Sequence, residues 1–155
     1  MEAWQLPWSA SCLCEHMKMH VTKAPAVSMA CHCNGCQKLT SGQHSLSLLL
    51  PADGFEVIEA APVAGGLHAE KQQMFCTHCK NWLFTRIPGL PFVTFPPGVL
   101  EDAGWALPII ETMTREPLPY ATTGAEFRYD VFPAPEDYGP AMAAFAEHGA
   151  RPPAP

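Results

Sequence analysis

The hydrophobic positions of the chain fall in short runs that proline and glycine interrupt. Seventeen prolines and eleven glycines are spread over 155 residues, so few segments are long enough for an extended helix. Eight of the segments between these breaks are rich in β-branched, aromatic or leucine residues, a composition typical of strands. They span residues 18–23, 44–50, 55–59, 73–76, 82–87, 91–95, 107–113 and 127–132. The pattern predicts an all-β fold of small antiparallel sheets.

Helical patterns occur in two places. A short helix of one or two turns is predicted after Asn34, ending near Gly42. A second helix is predicted over residues 140–148, which are rich in alanine, and it would serve either to pack on the core or to bind a partner. Core packing is the simpler expectation. The final residues 151–155 (RPPAP) cannot continue a helix, so we predict one domain over residues 1–150 and a frayed tail.

Composition and charge narrow the classes of partner. Hydrophobic residues make up 48% of the chain and charged residues 15%, as in a globular protein with a modestly charged surface. A net charge of -6 argues against binding to nucleic-acid phosphates or to an acidic membrane face. No apolar run approaches the roughly 20 residues that span a bilayer, and residues 1–11 contain no basic signal region. We therefore predict a cytoplasmic protein.

The seven cysteines lie in three tight clusters. An odd number of cysteines in a reducing compartment disfavours a disulfide framework, whereas thiolates separated by one or two residues can bind a single ion. The clusters are Cys12 with Cys14, then Cys31, Cys33 and Cys36, and finally Cys76 with Cys79. This spacing predicts metal binding.

The last pair, Cys76 and Cys79, lies between two predicted strands and has the form of a zinc knuckle, a turn whose amide groups also stabilise the thiolates. Two ligands do not complete a zinc site. The missing pair could come from Cys12 and Cys14, which would connect the amino-terminal region to the middle of the chain. A thioredoxin-like redox pair is the alternative, but it requires a βαβ context that the residues after Cys79 do not provide.

The middle cluster offers three thiolates within six residues. Gly35 would permit the sharp turn between Cys33 and Cys36, and the helix that follows would direct its N–H dipoles at the thiolates. Three protein ligands with an open fourth position define a catalytic zinc site. A fourth protein ligand could instead close the site; the candidates are His32, His44 and Asp53, although an extended backbone would direct His32 away from the ion.

Three thiolates also restrict the chemistry of the middle site. Their charge of -3 on a +2 ion blunts its Lewis acidity, so an activated hydroxide is less expected than at a three-histidine site. An incoming thiol suits such a centre better, because zinc would lower its pKa and hold it near an electrophile. Around the site, the aromatic residues Trp82, Phe84, Phe92 and Phe95 are expected to pack in the core rather than to contact a ligand.

The order of these clusters resembles the glutathione-dependent formaldehyde-activating enzyme family, which also includes centromere protein V. The similarity rests on Cys12 and Cys14, on residues 31–42 (CHCNGCQKLTSG), on residues 75–79 (FCTHC) and on residues 97–102 (PGVLED). Where the family usually has glycine after its cysteine pairs, this chain has Glu15 and Lys80, and Gln37 follows the third cysteine of the middle cluster.

The resemblance implies a β-tent fold and two zinc ions per chain. In that family pattern Cys12, Cys14, Cys76 and Cys79 hold a structural zinc, and Cys31, Cys33 and Cys36 hold the catalytic zinc. The implied activity is that of a carbon–sulfur lyase that adds glutathione, or a similar small thiol, to formaldehyde. Two other hypotheses stay open: a non-catalytic zinc-binding module of the same fold, favoured by Lys80 and Gln37, and a redox switch.

Overall fold

Strands dominate the computed structural model, which describes residues 4–65 and 72–153. Within these residues eleven strands and two α-helices form, so the mainly-β prediction with antiparallel sheets and a carboxy-terminal helix is confirmed. The strands are β1 (Trp8–Ser11), β2 (Lys18–Val21), β3 (Val27–Cys31), β4 (Ser45–Pro51), β5 (Phe55–Glu59), β6 (Val63–Gly65), β7 (Gln72–Phe75), β8 (Trp82–Arg86), β9 (Phe92–Phe95), β10 (Ile110–Thr112) and β11 (Phe127–Arg128). The helices are α1 (Asn34–Thr40) and α2 (Pro135–His148), and a single 3-10 turn spans Pro97–Val99.

The strands form two sheets. One has three antiparallel strands in the order β1-β2-β5, and the other has eight in the order β11-β10-β3-β4-β9-β8-β7-β6. Pairing in the larger sheet is antiparallel except at β10, which runs parallel to both β3 and β11. The second sheet is thus larger than the small sheets expected from the sequence, because long-range pairing joins strands that are each only two to seven residues long.

All eight predicted strands overlap an observed one, and β1, β3 and β6 are additional. The sequences of β1 (WSAS) and β3 (VSMAC) are rich in serine and alanine, which signal a strand only weakly. Strand β3 is buried along its whole length between β4 and β10, so tertiary pairing outweighs its low propensity. Helix α2 begins at Pro135, earlier than predicted, since the Asp137 carboxylate accepts a hydrogen bond from the Ala134 backbone N–H (3.1 Å).

The two faces of the large sheet have different roles. On β4, Leu48 and Leu50 point towards the smaller sheet and are fully buried with Met19 and Val21 of β2. The alternating positions Ser45, Ser47 and Leu49 of β4 point to the opposite face. The first face forms the main core, and the second face carries Cys31, Cys33 and Cys36 beside a cavity.

Helix α2 covers part of the second face. Its Ala141 and Phe145 are buried against Val27 of β3 and Ile110 of β10, which confirms the core-packing expectation for this helix. Arg151 follows it and donates hydrogen bonds to the carbonyls of Phe145 and Ala146.

The prediction of one domain over residues 1–150, followed by a tail, stays a prediction. Within the described ranges, no helix combines the length and apolar character needed to cross a membrane.

Candidate metal centres

The fold brings Cys12, Cys14, Cys76 and Cys79 into one group, here called the four-cysteine cluster. Their Sγ atoms all lie within 4.8 Å of one another, with 3.5 Å between Cys12 and Cys14 and 3.9 Å between Cys14 and Cys76. A tetrahedral ion with Zn–S bonds of about 2.3 Å places its sulfur ligands about 3.8 Å apart. The four free thiols therefore match the ligand set of a tetrahedral metal site.

Two turns present these thiols. One joins β1 to β2 and the other joins β7 to β8, and the Leu13 N–H donates to Asn81 Oδ1 (3.1 Å) between them. Backbone N–H groups also reach the sulfurs: Met17 N donates to Cys12 Sγ (3.2 Å), and His78 N donates to Cys76 Sγ (3.4 Å). These amides are the stabilising groups that the knuckle interpretation predicts.

The residues that replace the family's usual glycines lie in these same turns. Glu15 has a φ of 58° and Lys80 a φ of 61°, so both adopt the left-handed conformation that glycine adopts most easily. Glycine could adopt the same backbone conformation at both positions without strain.

Hydrogen bonding shifts the thiol pKa values in the four-cysteine cluster. Burial raises the pKa of Cys79, but hydrogen bonds with the Asn81 backbone and with Cys14 lower it to about 6. The backbone of His16 lowers the pKa of Cys14, yet burial and hydrogen bonds to Cys79 and Cys12 raise it to about 11. One thiol of a hydrogen-bonded pair thus loses its proton more easily while its neighbour retains its own. The thiolates that form in this cluster would attract a cation.

The second group, Cys31, Cys33 and Cys36, is here called the three-cysteine cluster. Cys31 ends β3, Cys33 is the N-cap of α1, and Cys36 lies in the first turn of that helix. Their Sγ atoms lie within 4.8 Å of one another, and Cys33 Sγ accepts a hydrogen bond from Cys36 N (3.3 Å). Three converging sulfurs fit a soft ion such as zinc.

The pKa values of this cluster move in opposite directions. A hydrogen bond from Cys36 lowers the pKa of Cys31 to about 5, with a further contribution from Thr112. The same bond, together with burial, raises the pKa of Cys36, while Ser45 acts in the other direction. The hydroxyls of Thr112 and Ser45 therefore belong to the immediate surroundings of the sulfurs.

None of the three histidine or aspartate candidates joins the three-cysteine cluster. Among the described residues, no imidazole or carboxylate atom lies within 4.8 Å of all three sulfurs. His44 packs edge-on against His32, with 5.2 Å between ring centroids, and Asp53 pairs with Lys23 at 2.5 Å. The described residues thus supply three ligands at this position.

His32 points away from the sulfurs, as predicted, and forms a buried hydrogen bond with Glu111. Its Nε2 lies 2.6 Å from Glu111 Oε1, and both side chains are almost wholly buried. Glu111 Oε2 lies 2.9 Å from Arg128 Nη1 at the surface, in an ion pair whose alignment is not that of a regular hydrogen bond. The network connects the segment between Cys31 and Cys33 to β10 and β11, and the sequence alone did not indicate it, because the partners are remote.

The loop that carries the three-cysteine cluster is held by Gln37. Its Nε2 donates to the carbonyl of His32 (2.6 Å) and to that of Glu116 (2.9 Å).

Gly35 does not have a positive φ, since it lies within the first turn of α1. The expectation that Gly35 makes a special turn is therefore wrong, and the helix start itself aligns Cys33 with Cys36.

A cavity of about 450 Å³ adjoins the three-cysteine cluster on the second face of the large sheet. Tyr138 and Met142 of α2 line it opposite the sheet. Trp82 and Phe92 also line it, so the expectation of core packing fails for these two aromatics. It holds for Phe84 and Phe95, which are fully buried in the main core. The cavity depends on the position of α2, which no local pattern specifies.

Comparison with known proteins agrees with this geometry. Residues 7–116 match the family model described as glutathione-dependent formaldehyde-activating enzyme. No curated protein matches the sequence. A crystal structure of a Rhodobacter sphaeroides protein, solved by structural genomics, is similar in fold with a TM-score of 0.50 and 15% identity, covering 61% of this chain and 88% of that one. Because the family match extends over most of the chain and spans both cysteine clusters, the protein belongs to the glutathione-dependent formaldehyde-activating enzyme family.

Proposed function

We propose that this protein is a zinc-dependent enzyme of the carbon–sulfur lyase type that adds a small-molecule thiol to a small aldehyde. The observation that carries the proposal is the position of the three-cysteine cluster, whose sulfurs open onto a cavity large enough for a small ligand. Membership of the family, whose description names glutathione and formaldehyde, supports the choice of thiol and aldehyde.

The proposal gives the two clusters different roles. Cys12, Cys14, Cys76 and Cys79 would hold a structural zinc, and Cys31, Cys33 and Cys36 would hold the catalytic one. Zinc bound by three thiolates supplies activation of an incoming thiol, because it lowers the pKa of that thiol. In the reaction the sulfur–carbon bond forms, the carbonyl π electrons pass to oxygen, and oxygen takes up one proton while the thiol loses one.

The surrounding residues would position this chemistry. Gln37 and the His32–Glu111 pair hold the backbone on either side of Cys33, so the three sulfurs keep their mutual geometry. The mainly apolar wall beside the sulfurs would favour addition of a thiol over competing hydration of the aldehyde. We keep the cytoplasm as the expected location, because cysteines that bind a metal have to stay reduced.

Exchange NMR with ¹³C-labelled formaldehyde tests the proposal. Zinc-loaded protein is expected to accelerate formation and breakdown of the thiol adduct, and Cys33→Ser is expected to abolish the acceleration while retaining the fold. His20→Ala, on an exposed position of β2, is the control and should behave as the wild type. If the loaded protein neither binds thiols at the metal nor accelerates adduct formation, the enzyme proposal is abandoned.

A non-catalytic ligand-binding module is the second candidate. The observation that favours it is that the described cavity wall contains no titratable side chain other than the cysteines and Tyr138, so general acid–base groups are scarce. This candidate predicts that the loaded protein binds thiols without changing the adduct exchange rate.

A further inference from the structure

We propose that the thiol accepted by this site has an uncharged, apolar body, and that the charged tripeptide glutathione is a poor ligand for it. The inference rests on the proposed function, because it assumes that a thiol sulfur lies at the three-cysteine cluster. The carbon body of that thiol then extends into the adjoining cavity, whose surface chemistry decides which body fits.

The cavity wall is predominantly apolar. The hydrocarbon side chains come from both helices, from the strands of the large sheet and from the loop after β8; they include Leu39, Leu49, Ile87, Leu90, Phe92 and Met142. Leu90 lines the cavity and still has 55% of its surface exposed, so apolar surface continues to the solvent. Burial of a hydrocarbon group against such a surface is favourable, whereas burial of a charged group against it is not.

Apart from the cysteines and Tyr138, the described polar side chains of the wall are neutral, and the best defined of them have partners. Thr85 Oγ1 accepts a hydrogen bond from Trp82 Nε1 (3.0 Å), and the Ser45 hydroxyl interacts with the Cys36 thiol. Ser47, Thr94 and Gln73 add further neutral groups. A small number of neutral donors and acceptors orients a ligand, but it does not neutralise an ion.

No described residue that lines the cavity is Lys, Arg, His, Asp or Glu. Two basic residues on strands of the large sheet are directed elsewhere: Arg128 pairs with Glu111 at 2.9 Å, and the Arg86 guanidinium lies 5.2 Å from the centre of the Phe84 ring. Glutathione carries two carboxylates and one ammonium group, and the transfer of either carboxylate from water would bring it to described wall residues that include no cationic side chain. That transfer is unfavourable, whereas an apolar body meets complementary surface.

The test compares three probes on the same zinc-loaded wild-type protein. They are 2-phenylethanethiol, glutathione and 2-phenylethanol, which keeps the apolar body and lacks the sulfur. Titration calorimetry is expected to show 2-phenylethanethiol binding at least tenfold more tightly than glutathione, with weaker but measurable binding of 2-phenylethanol. Glutathione binding as tightly as 2-phenylethanethiol would overturn the inference, and so would the absence of binding by both phenyl probes.

A matched pair of variants adds a second measurement. Gln73→Lys places a cation in the cavity wall, whereas Gln72→Lys adds the same charge at the preceding, exposed position of β7, outside the wall. We expect Gln73→Lys to narrow the affinity ratio between 2-phenylethanethiol and glutathione at least threefold, and Gln72→Lys to leave it unchanged. An equal change in both variants would contradict a role for the wall.

The outcomes separate this inference from the proposed function. If glutathione adducts form as fast as 2-phenylethanethiol adducts, the enzyme proposal stands and the apolar-ligand inference fails. If the phenyl probes bind with the expected preference and no thiol adds faster to formaldehyde, the inference stands and the enzyme proposal fails.

Discussion

The two cysteine clusters differ in how much of the chain each one joins. The four-cysteine cluster connects Cys14 to Cys76, which are 62 residues apart, and it links the turn of β1 and β2 in the small sheet to the turn of β7 and β8 in the large sheet. The three-cysteine cluster is contained within six residues between β3 and α1. A metal in the first cluster therefore closes a long loop between two sheets, whereas a metal in the second closes almost none.

The two clusters also differ in what surrounds their side chains. Cys12 and Cys76 are buried in the main core, with turns that tie them to each other. The three-cysteine cluster instead lines a cavity. The comparison teaches that similar ligand chemistry can stabilise a fold or present a reactive centre, depending on whether the ligands come from distant or adjacent parts of the chain.

The largest expected effect separates the clusters by stability. Cys76→Ser should prevent stable folding, because structural zinc contributes about 10–16 kcal/mol in small domains, comparable with the entire stability of about 5–15 kcal/mol of a typical protein. Cys33→Ser should keep the fold and reduce the zinc content from two ions to one. Elemental analysis together with circular dichroism measures both effects. Equal damage from the two substitutions would contradict the assigned roles.

Gradual metal removal should reproduce this order in the unmodified protein. On titration with a chelator, the first zinc is expected to leave from the three-cysteine cluster with little change in the circular dichroism spectrum. Loss of the second should coincide with cooperative unfolding. Cys33→Ser is the control and should show the second phase alone. A single phase in which both ions and the fold are lost together would remove the distinction between the clusters.

A smaller effect is expected at the buried Glu111 carboxylate behind the three-cysteine cluster. Glu111→Gln keeps the shape of the side chain but removes the charge that pairs with Arg128, and it should lower the free energy of unfolding by about 1–3 kcal/mol. It should also weaken metal binding at the three-cysteine cluster about tenfold and leave the other cluster unchanged. Denaturant unfolding and competition with a metal indicator measure these changes, with the exposed Glu56→Gln as the control.

The smallest expected effect concerns the turns of the four-cysteine cluster. Because Lys80 has a φ of 61°, Lys80→Gly should relieve left-handed strain and raise the free energy of unfolding by up to about 1 kcal/mol. Gly124→Ala, at a φ of 69° with open space around it, is the opposite control and should lower stability by a similar amount. Denaturant unfolding of both variants checks the pair. A loss of stability in Lys80→Gly would show that the lysine side chain matters more than its backbone conformation.

Much of the fold class was predictable because strand composition and frequent prolines are local signals. The eight predicted strands all overlap observed ones. The cysteine spacing predicted three clusters, and the first and third of them meet in space, as the family resemblance implied. The strand β3 was missed because alanine and serine carry little strand preference, and its pairing with β4 and β10 decides its conformation. The prediction that Trp82 and Phe92 pack in the core was wrong. The alternation of side chains along a strand shows which residues share a face of the sheet, but it does not show whether that face is covered by the core or lines a cavity.

The sequence by itself determined the close spacing of thiols that could bind a metal and the mainly-β class, since closely spaced cysteines and short β-rich segments act within a few residues. Only the tertiary structure decided what surrounds the thiolates. The pairing of Glu111 with His32 spans 79 residues, and the described cavity wall combines residues of both helices with residues of the strands β3, β4, β7, β8 and β9. These contacts arise from long-range packing, and the charge and polarity that they place beside Cys31, Cys33 and Cys36 could be known only once the chain was folded.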